Sequence, residues 1–274
     1  MSTAPAFARA REEGRAALVG YLPAGFPDVP GAIEALRTMV EAGCDVIEVG
    51  LPYSDPVMDG PTIQAAAQQA LDGGFRVADV LRTVEAVAAT GTPTLVMTYW
   101  NPVERYGVER FARDLAEAGG AGLITPDITP DYGAEWIAAA DARDLDKVFL
   151  VAPSSTDERV EMTTAACRGF VYATAVMGVT GARTTSSELG GPLVTRARAL
   201  QPKGADLPVG VGLGVGNGDQ AADVAAYADG VIVGSAFVRT LLDAGTDRRA
   251  GLAALRTLTE ELATGVRRGS AGGA

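Results

Sequence analysis

Apolar residues fall along this chain in short runs, each followed by a turn rich in glycine or proline and then by a longer stretch of helical periodicity. The short runs predict strands at 16–21, 45–49, 94–98, 122–125, 147–151, 169–173, 208–211 and 230–233. Between them the periodicity predicts helices at 31–42, 62–71, 77–89, 108–118 and 131–141. Further helices are expected from 155 or 156 to 166, up to 200, from the 212–217 turn to about 227, from 235, and at 249–266. A short helix ending near Gly14 precedes the first strand. In helix 31–42, Ile33, Leu36, Met39 and Val40 form one stripe, and Ser155 or Thr156 supplies a cap for the helix after strand five.

Eight such units predict an α/β fold closed as a parallel (β/α)8 TIM barrel, with an extra N-terminal helix and long loops after strands two and six. About 250 residues is usual for that fold, and the chain has 274. An open doubly wound sheet is the alternative, ranked lower because it has fewer repeats and a single glycine-rich loop after its first strand. With no linker-like segment, residues 1–268 are expected to be one domain. A flexible tail is expected at 269–274, its disorder signal starting at Arg267.

Composition narrows the chemistry. A net charge of −11 argues against nucleic acid, yet leaves room for a small anion held by backbone N–H groups at helix starts. Two cysteines, Cys44 and Cys167, read as buried reduced thiols. Neither a signal peptide nor an apolar run near the ~18 residues of a membrane helix is visible, so a cytoplasmic location is expected. The chain has no histidine, which excludes a histidine triad and leaves proton transfer to Asp, Glu, Tyr, Lys or Cys. A zinc site would need carboxylates alone, and no metal site is expected. Lys147, one of two lysines with Lys203, starts strand five at the closed end of the barrel, which disfavours a lysine imine.

The stretch after strand two departs from this background. Glu48 shares a face with Val46, while Ile47 and Val49 share the other. Pro52, Pro56, Gly60 and Pro61 then impose a stiff loop carrying Asp55 and Asp59. Either Glu48 ends its strand in solvent and the aspartates are turn residues, or Glu48 and Asp59 converge at a barrel mouth, where catalytic groups collect. In the second reading desolvation raises the pKa of Glu48 for general-acid work, while Asp59 stays ionised. Tyr172 is expected as a pocket wall. Gly212 and Gly214 follow strand seven, and Gly234 and Ser235 open a helix after strand eight. They are either tight turns or the phosphate cradle that barrels build from these two loops, with Gly181 as a neighbour that completes it.

Over residues 11–267 the chain resembles the tryptophan synthase α subunit family. The resemblance is carried by the uninterrupted run from Glu48 to Gln64, by Met97-Thr98-Tyr99-Trp100-Asn101-Pro102, by Gly178-Val179-Thr180-Gly181 and by Gly234-Ser235-Ala236. It implies a lyase that splits indole-3-glycerol phosphate into indole and glyceraldehyde 3-phosphate. Glu48 would protonate indole C3 and handle the proton of the glycerol hydroxyl, and Asp59 would hold the indole N–H. Tyr21, Tyr99 and Tyr172 match positions near the substrate. Gly181, Leu213, Gly214, Gly234 and Ser235 match the phosphate pocket, and residues 176–185 a mobile lid whose Thr180 steadies the aspartate.

The resemblance further implies a β subunit partner, in an α2β2 heterotetramer, that carries pyridoxal phosphate and receives indole through a tunnel. No cofactor is then expected in this chain. The loop 52–61 and the region around Asn101 match the docking surface. Val176 stands where the family often has arginine, with Arg183 available to compensate, and Phe26 where it often has aspartate. Three alternatives stay open: an isomerase or epimerase of sugar phosphates, a stand-alone indole-releasing lyase of a specialised pathway, and a weakly active allosteric partner subunit.

Overall fold

The computed structural model describes residues 1–174, 186–212 and 214–270. The elements follow in the order α1 (Ala4–Glu12), β1 (Ala17–Pro23), α2 (Val29–Ala42), β2 (Val46–Gly50), α3 (Pro61–Asp72), α4 (Val77–Ala88), β3 (Thr94–Met97), α5 (Trp100–Tyr106), α6 (Val108–Glu117), β4 (Gly122–Thr125), α7 (Ala134–Asp141), β5 (Asp146–Val151), α8 (Asp157–Ala166), β6 (Val171–Thr174), α9 (Ser186–Ala199), β7 (Val209–Gly212), α10 (Gly218–Ala225), β8 (Gly230–Val233), α11 (Ser235–Ala244) and α12 (Arg248–Ser270). The eight strands pair in parallel with their sequence neighbours, and β8 closes on β1, giving the expected barrel.

Alternation along each strand divides two cores. Inward residues, among them Val19, Val46, Leu95, Val148, Phe170 and Ile232, fill the barrel, and outward ones such as Leu18, Ile47 and Val49 pack under the helices. Helix α1 closes the floor. Its Phe7 lies 5.1 Å from Phe170, ring centroid to centroid, in space left by Gly230, where an added methyl would come 2.7 Å from the Phe7 ring. The fully buried Asp146 pins α1, accepting from Thr3 N–H and Oγ1, both at 2.7 Å, and from Ser2 Oγ at 2.9 Å. Nearby, Asp45 takes two guanidinium bonds from Arg15, at 2.6 and 2.8 Å, and one from Leu18 N–H at 2.9 Å. Lys147 is on this floor, paired with Asp141.

Several boundaries differ from those read in the sequence. Strand β1 runs through Pro23 because β8 has already ended opposite Gly20, so the missing N–H deprives no neighbouring strand of a donor. Trp100–Tyr106 forms a helix where the sequence pattern assigned none; Pro102 falls in its first turn, where N–H groups lack partners anyway. Helix α12 carries Arg267 to Ser270, which were expected to be disordered. Arg268 reaches Asp219 at 2.8 Å, and Gly269 packs against the α10 backbone at Ala222. Thr156, not Ser155, caps α8.

Candidate active site

The C-terminal ends of the strands enclose a cavity of about 340 Å³. Glu48 enters it from β2, Tyr21 from β1 and Tyr172 from β6, each on an inward position. Asp59 arrives on the loop after β2, and Gly214, Gly234 and Ser235 come from the loops after β7 and β8. The structure thus brings Glu48 and Asp59 to one cavity and removes the reading in which Glu48 ends its strand in solvent. Thr180, Gly181, Leu213, Val176 and Arg183 lie outside the described residues.

Glu48 is fully buried, and neither carboxyl oxygen has a hydrogen-bond partner among the described residues. Desolvation pushes its pKa up to about 8, the direction expected when an apolar barrel disfavours the charged form. Asp59 is half-buried. Burial raises its pKa as well, against a hydrogen bond from Tyr99 that lowers it, which qualifies the expectation of an unperturbed ionised group. The Tyr99 hydroxyl also accepts from Met58 N–H at 2.9 Å, so it holds the Asp59 loop from two sides. Its ring lies 5.4 Å from that of Tyr53, and Asn101 Nδ2 donates to the Tyr53 hydroxyl at 3.1 Å. Asp127 accepts from Trp100 N–H at 2.9 and 3.0 Å and so fixes the start of α5.

The phosphate-side residues have the shape an anion needs. Gly214 adopts φ +73°, which other residues rarely do, and the first turn of α11 has no side-chain cap, leaving its N–H groups open to a ligand. Gly234 lies against the Tyr21 ring, 3.3 Å from Cδ1 to the position of an added methyl. Met97, Leu150, Thr174 and Ile232 also line the cavity and were not singled out from sequence. For Met97, Leu150 and Ile232 the signal was present: each shares the inward parity of its strand and stands at or next to its C-terminal end. Phe26 is in the core, where an acidic side chain would have to be desolvated.

A parallel eight-stranded barrel with a buried carboxyl, unpartnered among the described residues, at the C-terminal ends of its strands is built as TIM-barrel enzymes are. The family model described as tryptophan synthase alpha chain matches residues 7–267. A relative of that description from Salinispora arenicola is 66% identical over 262 residues, covering 96% of each chain. Another from Nocardia farcinica is 60% identical over 261 residues, 95% of this chain and 94% of its own. Among solved structures, tryptophan synthase of Mycobacterium tuberculosis superposes with a TM-score of 0.89 at 57% identity, over 97% of this chain and 98% of that one. The chain belongs to the tryptophan synthase alpha chain family.

Proposed function

We propose that the chain cleaves indole-3-glycerol phosphate to indole and glyceraldehyde 3-phosphate by acid–base chemistry, as one domain and with no cofactor of its own. The observation that carries this reading is Glu48: a fully buried carboxyl with no hydrogen-bond partner among the described residues, its pKa pushed up to about 8, is an acid at neutral pH, and Met97, Leu150 and Ile232 give its cavity of about 340 Å³ apolar walls for an aromatic ring. Glu48 gives its proton to indole C3, and Asp59, steadied by Tyr99 and Thr180, takes the ring N–H and the positive charge that develops there. Tyr21 and Tyr172 wall the substrate, and Tyr99, which does not line the cavity, acts through Asp59 from behind. Gly181, Leu213, Gly214, Gly234 and Ser235 hold its phosphate at the start of α11.

The released indole passes to a β subunit that carries pyridoxal phosphate, for L-tryptophan synthesis in an α2β2 assembly. Two observations support a partner at this face. The relatives are called alpha chains, and the loop that bears Asp59 exposes Val57 and Met58, at 77% and 47% of their surface. Among the described residues no helix is long and apolar enough to cross a membrane. The test is indole release by wild type, Glu48→Gln and Asp59→Asn, each with and without a β subunit. Activity lost in both variants and raised by the partner is expected; an inactive wild type in the presence of partner overturns the reading.

A further inference from the structure

This inference rests on the lyase reading above. Once Glu48 has given its proton to indole C3 it is a carboxylate, and in the free barrel neither oxygen has a donor among the described residues. A bare buried carboxylate is strongly disfavoured, so the cycle calls for a donor that engages only at that stage. The substrate's glycerol hydroxyl is one such group, but it must also surrender its proton.

Glu48 and Gly50 lie two residues apart on the inner face of β2, and Tyr21 of β1 is in register with Glu48. The Tyr21 ring leans across onto β2. A methyl added at Gly50 would overlap the hydroxyl and come 2.6 Å from Cζ, while Gly234 supports the other side of the ring. The hydroxyl is therefore held over β2, one layer nearer the mouth than Glu48. The hydroxyls of Tyr53, Tyr99 and Tyr106 are engaged in hydrogen bonds; among the described residues that of Tyr21 is not. Tyr172 also faces the cavity, but its hydroxyl leans onto β7, 2.5 Å from where a methyl on Gly212 would stand, away from β2.

We propose that the Tyr21 hydroxyl is the positioning donor for Glu48: once ionised, the Glu48 side chain swings its carboxylate to this fixed O–H and stays there until the proton returns. Glu48 protonates C3, and the bond from C3 to the glycerol carbon then breaks, its electron pair returning to the ring and quenching the positive nitrogen. The glycerol hydroxyl becomes the aldehyde as its proton passes to Glu48, so no proton is gained or lost. Tyr21 keeps its proton throughout, because burial, with the nearby Asp59 and Glu48, holds its pKa well above the usual tyrosine value. The titratable groups facing Glu48 are Tyr21, Asp59 with Tyr99 behind it, and Tyr172. Among the described residues no lysine or arginine lines the cavity.

The test compares wild type, Tyr21→Phe and Tyr172→Phe. Carboxyl-labelled glutamate followed by NMR titrates Glu48 in the isolated chain, and steady-state indole release is measured with a β subunit present. Phenylalanine keeps the ring over Gly50. Loss of one hydrogen bond to a charged group raises the Glu48 pKa by about one unit and lowers kcat about tenfold, with KM within about twofold. Tyr172→Phe is expected to leave the Glu48 pKa in place. An active wild type that Tyr21→Phe matches in both pKa and kcat overturns this inference alone, as does a shift that follows Tyr172→Phe instead. A wild type that releases no indole overturns the lyase reading beneath it.

Discussion

Burying Glu48, with no partner among the described residues, makes the folded chain hold a proton that the unfolded chain gives up. The carboxyl titrates near 4.5 when unfolded and at about 8 in the barrel. Below pH 4.5 both states are neutral at this position, and it adds no pH dependence. Between the two values the unfolded chain ionises first, so stability falls as pH rises, at ~1.36 kcal/mol per pH unit. That amounts to ~3 kcal/mol at pH 7 and ~4 kcal/mol at pH 8, where the slope has halved on its way to a limit of ~5 kcal/mol above the folded pKa. Glu48→Gln keeps the shape and the buried polar group but removes the titration. The variant is expected to match wild type to within ~1 kcal/mol at pH 5 and to exceed it progressively up to pH 8. At ~2 °C or more per kcal/mol for a chain of this size, the gap at pH 8 is roughly 10 °C in Tm. Urea unfolding followed by circular dichroism at pH 5, 6, 7 and 8 measures it. A gap that does not widen with pH, or a wild type more stable than the variant at pH 8, would refute a neutral Glu48 in the folded barrel.

Tyr99→Phe removes the bond to the Asp59 carboxyl and leaves Met58 N–H without its acceptor. A fall in kcat/KM of roughly 10- to 100-fold is expected in indole-release kinetics, and an unchanged value would dissociate Tyr99 from the site. Asp45→Ala leaves the Arg15 guanidinium buried on the floor without its bidentate partner. Urea unfolding should show a loss of ~3–5 kcal/mol, and a loss below ~1 kcal/mol would mean that water reaches Arg15.

The barrel was legible because its strands are covered on both faces, so each reads as an apolar run between turn signals; β4 and β8 begin and end where the pattern puts them. What escaped was decided by distant contacts or by position within an element. Pro102 speaks for a loop until it is known to sit in a first turn. Arg267 to Ser270 look like a tail until Asp219 and Ala222 are seen to receive them. In the site, Glu48 was legible as a strand-end carboxyl and the direction of its pKa followed from an apolar barrel. The clasp of Tyr99 on Met58 and Asp59, and the lean of Tyr21 over Gly50, join residues from separate strand–loop units and leave no mark on local spacing.

The floor beneath Glu48 bears on how the chain is made. Thr3 is tied to Asp146, 143 residues further on, and Phe7 rests on Phe170 and Gly230. During synthesis the first helix emerges long before any of those groups exists, so it must wait, undocked, while the strands that will receive it are still being added. The barrel is sealed from below only when nearly the whole chain is out. A nascent or truncated chain therefore lacks the dry interior on which the proton of Glu48 depends, even with Glu48 and Asp59 already in place along it.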